Sequence, residues 1–393
     1  MAIYLISLLS ILNQISLKGS KMLVALYAIH LGASPFAIGI LISTFAVFPL
    51  ALAMHAGRVS DRVGVRRPMI FGSFGVAAGL TLAFAVPSMA VLYVSCALIG
   101  AAALFFHVSV HNLVGSLGEA RERTGNFGTF SLGASISGLA GPLLVGFAVD
   151  IWGYQPTFLM LAAISVVPGI VLIFTAGFIP VRIQSTPEKS GGLGELLGNP
   201  QLRRTVITSG LIITGIDLFN FYMPIYGRSI GLSASVIGMV LGMQAVAAFA
   251  VRLGMPRLAR RFGERSVLNA SLLIAGITYF SFPMVENALL LASISFVLGL
   301  GLGCGQPLSI VLTYNHAPPG RAGEALGLRL TVNKLTQIAV PLVFGSLGAA
   351  AGVFPVFWAN AVLLIAGGWA GAIARAQEAT PPGGGRIDSS EPV

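Results

Sequence analysis

Charged residues are scarce in this chain. Asp, Glu, Lys and Arg together make up 9% of its 393 residues, whereas soluble domains carry about 25%. Hydrophobic residues make up 55% of the sequence, and its mean hydropathy is +0.89. This composition excludes an ordinary soluble domain and indicates that lipid surrounds most of the chain.

Other chemical features are absent as well. The two cysteines, Cys96 and Cys304, lie far apart, which excludes a disulfide framework and a cysteine metal cluster. No G-x-x-x-x-G-K-[ST] phosphate loop is present, so nothing supports ATP hydrolysis. The first residues carry no basic region and no small-residue cleavage site, and we expect them to form the first span. No nucleophile paired with a base is evident, and we expect neither a cofactor nor enzymatic activity.

Apolar runs that are long enough to cross a membrane recur along the chain. A helix needs about 20 such residues to span the hydrocarbon core. The runs are 4–30, 35–56, 68–87, 89–114, 125–149, 155–178, 205–227, 233–255, 267–284, 288–314, 325–349 and 353–375. They predict an all-α integral membrane protein with twelve transmembrane helices.

The two halves of the sequence resemble each other at an offset of 199 residues. SPFAIG at 34–39 corresponds to SASVIG at 233–238, and RVSDRVGVR at 58–66 corresponds to RLARRFGER at 257–265. This repeat predicts two pseudo-symmetric six-helix bundles whose substrate would lie between them, near the middle of the membrane.

The repeat also divides the chain into domains. We predict an amino-terminal bundle at 1–179 and a carboxy-terminal bundle at 205–375. The polar segment 180–204 contains Pro and Gly and is predicted to be a cytoplasmic linker. The Pro/Gly-rich tail at 376–393 is predicted to be disordered in the cytoplasm.

Basic residues exceed acidic ones, and the formal net charge is +10. If the amino terminus is cytoplasmic, most Lys and Arg fall on cytoplasmic segments and only Arg228 faces outward, which agrees with the positive-inside rule. The basicity therefore indicates topology and contact with anionic membrane lipids, not nucleic-acid binding. We expect a multi-pass protein of the bacterial inner membrane with both termini in the cytoplasm.

Segment 57–67, GRVSDRVGVRR, resembles the loop after the second span of the major facilitator superfamily, G-x-x-x-D-R-x-G-R-R. The matching positions are Gly57, Asp61, Arg62 and Gly64. Val65 departs from the usual basic residue, and Arg66 follows it. The resemblance implies the twelve-helix fold, alternating access, a monomer, and a latch at this segment that holds the outward-facing state.

A second resemblance lies in the fifth span. SGLAGPLLVG at 137–146 is similar to the antiporter signature of the family, G-x-x-x-G-P-x-x-G-G. Gly141, Pro142 and Gly146 match, and the resemblance implies a helix that bends during efflux by antiport. The chain departs from the drug-efflux subgroup at Cys96, where that subgroup typically carries an intramembrane Arg.

Polar side chains interrupt three of the apolar runs. A charged residue at the bilayer centre costs about 2.5–3.5 kcal/mol, so such residues normally face a cavity and serve function. We expect the following to line a substrate and proton cavity: Asn13, Gln14, Lys18 and Lys21 in the first span, Asp217 and Asn220 in the seventh, and Arg329, Asn333, Lys334 and Gln337 in the eleventh.

The offset relates Lys18 to Asp217, so the two are hypothesised to face each other across the cavity and to exchange partners during transport. A static ion pair between helices is the alternative. The excess of Lys and Arg over acid in the spans predicts an anionic substrate, because a cavity of bare cations would be strained.

Two histidines, His107 and His111, lie one helical turn apart in the fourth span. They could ligate a metal, and Met239 and Met243 share that spacing, so copper import is one alternative. No carboxylate or Cys completes such a site, and we predict no metal centre. Alternatively the histidines assist proton coupling or bond between helices.

We therefore predict a secondary active transporter that moves a small organic anion by alternating access and exports it in exchange for protons. Proton-coupled uptake of an organic anion or a siderophore-like compound is the main alternative direction.

Overall fold

The computed structural model describes residues 2–116, 120–175, 193–318 and 321–379, and every regular element in these ranges is helical. The helices of the first half are α1 (Ala2–His30), α2 (Pro35–Val63), α3 (Arg66–Ala85), α4 (Met89–Ser116), α5 (Ala120–Trp152) and α6 (Tyr154–Phe174). Those that follow are α7 (Leu193–Gly198), α8 (Pro200–Ser229), α9 (Ala234–Phe262), α10 (Glu264–Ser281), α11 (Ala288–Leu302), α12 (Gly305–His316), α13 (Ala322–Ala351) and α14 (Val353–Ala379).

Local sequence sets several of these boundaries. Ser34 and Ser233 cap α2 and α9 by accepting a hydrogen bond from a backbone N–H of the first turn. Asn199 caps α8 in the same way, with Pro200 as its first residue. Because of this cap α8 begins at Pro200, five residues before the predicted seventh span.

Eleven stretches in the described residues are long and apolar enough to cross a membrane. The polar residues of α1 lower its hydropathy, although at 29 residues it is long enough to span. The tenth span is predicted as one helix, but the structure divides it into α11 and α12 at Gly303 and Cys304. The twelve-helix prediction agrees with this arrangement.

The two halves pack as separate groups with matching interiors. Helices α1–α6 contact mainly one another, and so do α8–α14. The rings of Tyr27 and Phe158 meet edge to face, with their centroids 5.7 Å apart. Their counterparts at the offset of 199, Tyr226 and Phe357, meet in the same way at 5.4 Å. The sequence repeat is therefore also a repeat of core packing.

The most extensive contacts between the halves are made by two helix pairs, which we call the first seam (α2 with α13) and the second seam (α5 with α9), and α1 makes a smaller contact with α8. An added Cβ at Gly39 would meet the carbonyl of Pro341, and an added Cβ at Gly238 would meet that of Pro142. Gly39 and Gly238 each lie about one turn from the start of their helix, so these close contacts lie at the end that holds the α1–α2 and α8–α9 turns, hereafter the turn end. The structure is thus a state closed at the turn end.

The opposite end, which we call the linker end, holds the short helix α7. Leu196 of α7 is fully buried against Leu202, Val206 and Ala325 of the second half. Arg321 joins Glu195 of α7 to Glu324 at the start of α13, with N–O distances of 2.6 and 2.5 Å, and its hydrogen bond to Glu324 raises the pKa of Arg321. Residues 176–192, which hold the first part of the predicted linker, and the tail from 380 lie outside the described residues.

Candidate substrate cavity

Asp217 on α8 has cationic neighbours in both halves of the molecule. Its charged neighbours are Lys21 of α1 and Lys334 of α13. Gln337 of α13 also interacts with the carboxylate, and the amine of Lys334 donates to Gln337 Oε1 at 2.9 Å. Asp217 Oδ2 is buried with no hydrogen-bond partner among the described groups. This oxygen is therefore available to a proton or to a ligand.

Lys18 does not pair with Asp217 in this state, although the structure describes both residues. Its amine donates instead to the carbonyl oxygen of Ala134 on α5, at 2.5 Å. Lys18 and Lys21 are three residues apart on α1, so their side chains leave the helix about 60° apart. Lys21, not Lys18, is therefore the α1 cation beside Asp217.

Arg252 of α9 is a cation that the sequence reasoning missed. Its Nη1 donates to Ser135 Oγ on α5 at 2.7 Å, and its Nε donates to the carbonyl of Gly303 at 2.9 Å. It also lies close enough to Lys18 to interact with it electrostatically. Its position near the end of the apolar run 233–255 is typical of a cytoplasmic anchor, and only the packing of α9 on α5 reveals the contact between halves.

Arg329 and Asn333 of α13 lie within the second half. Arg329 is 2% exposed, and it donates to Gln306 Oε1 at 2.7 Å and to Ser309 Oγ at 2.9 Å. Asn333 Oδ1 accepts from Ser209 Oγ at 3.0 Å. These two predicted cavity residues thus make a buried polar network that joins α8, α12 and α13.

The amides of α1 and α8 occupy different surroundings. Asn13 is fully buried, and neither of its amide atoms has a hydrogen-bond partner among the described groups. Gln14 beside it is 8% exposed. Asn220 donates to the carbonyl of Ile216 one turn earlier in its own helix, at 2.8 Å. Like Asp217, Asn13 is thus a predicted cavity residue with buried polar atoms that have no hydrogen-bond partner among the described groups.

The histidines of α4 lie in the half of that helix nearer its C-terminal end at Ser116. His107 has Lys18 and Lys334 as charged neighbours, and His111 is exposed with its ring 5.1 Å from that of Phe130. Within the described residues no three His, Cys, Asp or Glu side chains come together as metal ligands would. Met239 is 41% exposed on α9.

Comparison with known proteins assigns the family. The family model of the Major Facilitator Superfamily matches residues 6–341 and, in a second match, residues 205–391. The chain belongs to the Major Facilitator Superfamily. It is therefore a membrane transporter, as the sequence predicts.

Curated relatives and solved structures agree with this assignment. The chain is 26% identical over 339 residues to multidrug resistance protein MdtG of Dickeya zeae, covering 83% of this chain and 81% of that protein. It is 23% identical over 332 residues to the protein of the same name from Proteus mirabilis, with coverages of 83% and 82%. A POT family transporter in complex with 5-aminolevulinic acid superimposes with a TM-score of 0.80 at 13% identity, covering 96% of each chain. A mutant of the nucleoside transporter NupG gives 0.77 at 15% identity, with coverages of 97% and 100%.

The predicted latch of this facilitator lies at the turn between α2 and α3. Gly64 ends α2 with φ 87°, a conformation that favours glycine. Arg66 donates to the carbonyls of Leu172 and Ile173 at 2.7 and 2.6 Å, and so caps the end of α6. Arg62 is exposed, and Gly57 lies in α2 with open space where a Cβ would be. The side chain of Asp61 lies outside the described part of the structure. The latch role itself stays a prediction.

The predicted antiporter signature on α5 packs against two helices of the facilitator. An added Cβ at Gly141 would lie 3.1 Å from the backbone of α1 at Ile15, and one at Gly146 would lie 2.5 Å from the carbonyl of Ala234 on α9. Pro142 lies inside α5 beside Gly238. The small residues thus let α5 pack tightly between α1 and α9.

Proposed function

We propose that this facilitator moves small organic anions in a proton-coupled cycle, with Asp217 as the acid that binds the proton. The observation that carries the proposal is that Asp217 has Lys21 and Lys334 as charged neighbours and that its Oδ2 is buried and unpartnered among the described groups. Ionisable groups at membrane depth are costly, and in transporters they mark substrate and proton pathways.

The surrounding charges support an anionic substrate. Lys18, Lys21 and Lys334 lie in or beside the space between the halves. Among the described residues Asp217 is the acid that interacts with Lys21 and Lys334, and one carboxylate balances at most one of these two cations. A carboxylate, sulfonate or phosphate on the substrate would restore the balance.

Export is the proposed direction. The curated relatives bear the name multidrug resistance protein, and the α5 signature resembles that of antiporters in the family. Each cycle would then carry substrate out and return with Asp217 protonated. The inner membrane of a bacterium, with both termini in the cytoplasm, is the proposed location.

The cavity charges favour a second candidate, uptake by symport. Protonation of Asp217 removes the negative charge that competes for Lys21 and Lys334, so an anion binds best when the proton is bound. Because the proton and the anion each raise the affinity of the transporter for the other, the two cross the membrane together. Under an inward proton gradient, such a cycle would accumulate the anion.

Proton movement in proteoliposomes that contain a pH-sensitive dye tests both candidates. A substrate gradient of an organic anion should move protons in the opposite direction for antiport and in the same direction for symport. Asp217→Asn should abolish pH-driven transport, because the amide cannot bind the proton. Substrate exchange without net proton movement should persist in this variant and show that it is folded and inserted.

Glu286→Gln serves as the matched control, since this exposed carboxylate lies in the turn before α11, away from the cavity. It should leave proton coupling unchanged. Undiminished coupling in Asp217→Asn would overturn the assignment of the proton site.

A further inference from the structure

The side chain of Gln337 on α13 interacts with a cation and with an acid. The amine of Lys334, three residues earlier on the same helix, donates to Gln337 Oε1 at 2.9 Å. Gln337 also interacts with the carboxylate of Asp217 on α8. One amide therefore joins the proposed proton site to a cation of the cavity.

Hydrogen-bonding chemistry fixes the direction of this amide while Asp217 is ionised. A lysine ammonium has donors and no acceptor, so Lys334 can bond only to the amide oxygen. An ionised carboxylate has acceptors and no donor, so the group of Gln337 that suits Asp217 is the N–H donor at Nε2. In this arrangement Gln337 matches both neighbours at once, and its oxygen holds the amine of Lys334.

Protonation of Asp217 changes the match. Oδ2 of Asp217 is buried and has no hydrogen-bond partner among the described groups. A proton on this oxygen creates an O–H donor, and a buried donor without an acceptor is unfavourable. Oε1 of Gln337 is an acceptor on the amide that already interacts with the carboxyl group. When Oε1 accepts from this O–H, its bond to Lys334 is lost.

Other charged and titratable groups surround these three side chains. They are Lys21 of α1 and Tyr279 of α10, which interact with Asp217, and His107 and His111 of α4, which have Lys334 as a charged neighbour. The hydroxyl of Tyr279 donates to a backbone carbonyl of α8. The two histidines can gain charge as the pH falls, so an experiment has to separate their titration from that of Asp217.

We propose that Gln337 is a positioning residue that couples proton and substrate: it holds the Lys334 amine while Asp217 is ionised and releases it to the acidic group of the substrate when Asp217 is protonated. The proposal rests on the proton site and the anionic substrate proposed above. It gives the proton and the anion the positive linkage of the symport candidate.

Isothermal titration calorimetry on the full-length protein in detergent tests this role without a proton gradient. The probe is 2-naphthalenesulfonate, which stays ionised at both about pH 5 and about pH 7, so a pH dependence of binding belongs to the protein. Wild-type protein should bind the probe about tenfold more tightly at the lower pH, because the ammonium of Lys334 is then released to it.

Gln337→Met is the deciding variant, since methionine keeps an unbranched side chain of similar length and removes both amide groups. Without Oε1 the Lys334 amine is available at either pH. The difference between the two pH values should therefore shrink to about threefold, mainly through tighter binding at the higher pH. A damaged fold would not give this gain of affinity. Weaker binding at both pH values, or an unchanged difference, would overturn the role of Gln337.

Thr336→Val is the matched control on the same helix. The hydroxyl of Thr336 donates to the carbonyl of Val332 one turn earlier, away from the amide of Gln337. Both affinities should stay within about twofold of the wild type. If Thr336→Val shrinks the pH difference as Gln337→Met does, the effect comes from a general change in α13 and the proposal is overturned.

Asp217→Asn separates this proposal from the proton site on which it rests. The amide cannot bind a proton, so the pH difference should disappear. A difference that survives would come from other groups, such as the histidines, and would overturn the proton site and the role of Gln337 together. A difference that Asp217→Asn removes and Gln337→Met leaves intact would overturn the role of Gln337 alone. Wild-type protein that binds no sulfonate at either pH would overturn the anionic substrate and, with it, this coupling.

Discussion

The two seams of this transporter share their close packing and differ in their polar contacts. At the first seam an added Cβ on Gly39 would lie 3.1 Å from the carbonyl carbon of Pro341, and at the second an added Cβ on Gly238 would lie 3.1 Å from that of Pro142. These pairs correspond at the offset of 199 residues. Backbone contact between the halves is therefore a symmetric property of the fold.

Charge breaks the symmetry. At the second seam the carboxylate of Asp150 accepts hydrogen bonds from the backbone N–H groups of Ala234 and Ser235, at 3.1 and 2.8 Å. The residue that corresponds to Asp150 at the first seam is Ala349. The first seam has a neutral contact instead, from Ser43 Oγ to the carbonyl of Ile338 at 2.9 Å. We therefore expect closure of the turn end to depend on a carboxylate at the second seam and on packing with a neutral hydrogen bond at the first.

The largest effect should come from filling the packed contacts. Gly238→Ala and Gly39→Ala each place a methyl group against a backbone carbonyl that cannot move aside without parting the helices. Overpacking costs about 1–3 kcal/mol, so we expect each variant to lower the initial transport rate by up to about 100-fold. The losses should be equal, because the two contacts have the same geometry.

Gly327→Ala is the control for this pair, since no atoms lie near a Cβ at that position of α13. Alanine favours the helix there, and transport should be unchanged. A large loss at Gly238 with none at Gly39 would show that the seams are unequal in packing and not only in charge.

An intermediate effect should follow from removing the carboxylate of Asp150 at the second seam. Asp150→Ala deletes a carboxylate at the N-terminus of α9, where an exposed charge contributes about 0.3–1 kcal/mol. We expect the state closed at the turn end to lose up to about fivefold in population. The measurement is the maleimide labelling rate of a cysteine introduced at Ala245, which packs against Gly138 in the closed seam.

Asp150→Asn keeps an acceptor oxygen and removes the charge, so it should raise the labelling rate less than Asp150→Ala does. If both substitutions leave the rate unchanged, the carboxylate does not stabilise the closed state and the proposed asymmetry between the seams is wrong.

The sequence predicted the symmetric part of this structure well, because helix length and repeated motifs depend on local pattern. Apolar runs and the offset of 199 predicted the helices, and the resemblance predicted the family. The partners of the charged residues depend on the direction in which each side chain leaves its helix. The offset of 199 residues pairs positions in the two halves, but it does not predict that direction. Lys18 and Asp217 correspond in sequence, yet Lys18 points to α5, and Lys21 lies beside the acid. Arg252 was missed because its partner Ser135 lies 117 positions away in another bundle.

The smallest effect belongs to the neutral contact of the first seam. Ser43 is 3% exposed, and its hydroxyl bonds the carbonyl of Ile338 across the halves. Side-chain hydrogen bonds between membrane helices contribute about 0.6 kcal/mol on average, so Ser43→Ala should change the closed population by about threefold at most. The same Ala245 cysteine reports this population through its labelling rate. A change larger than that of Asp150→Ala would mean that the first seam, not the charged one, controls the closure of the turn end.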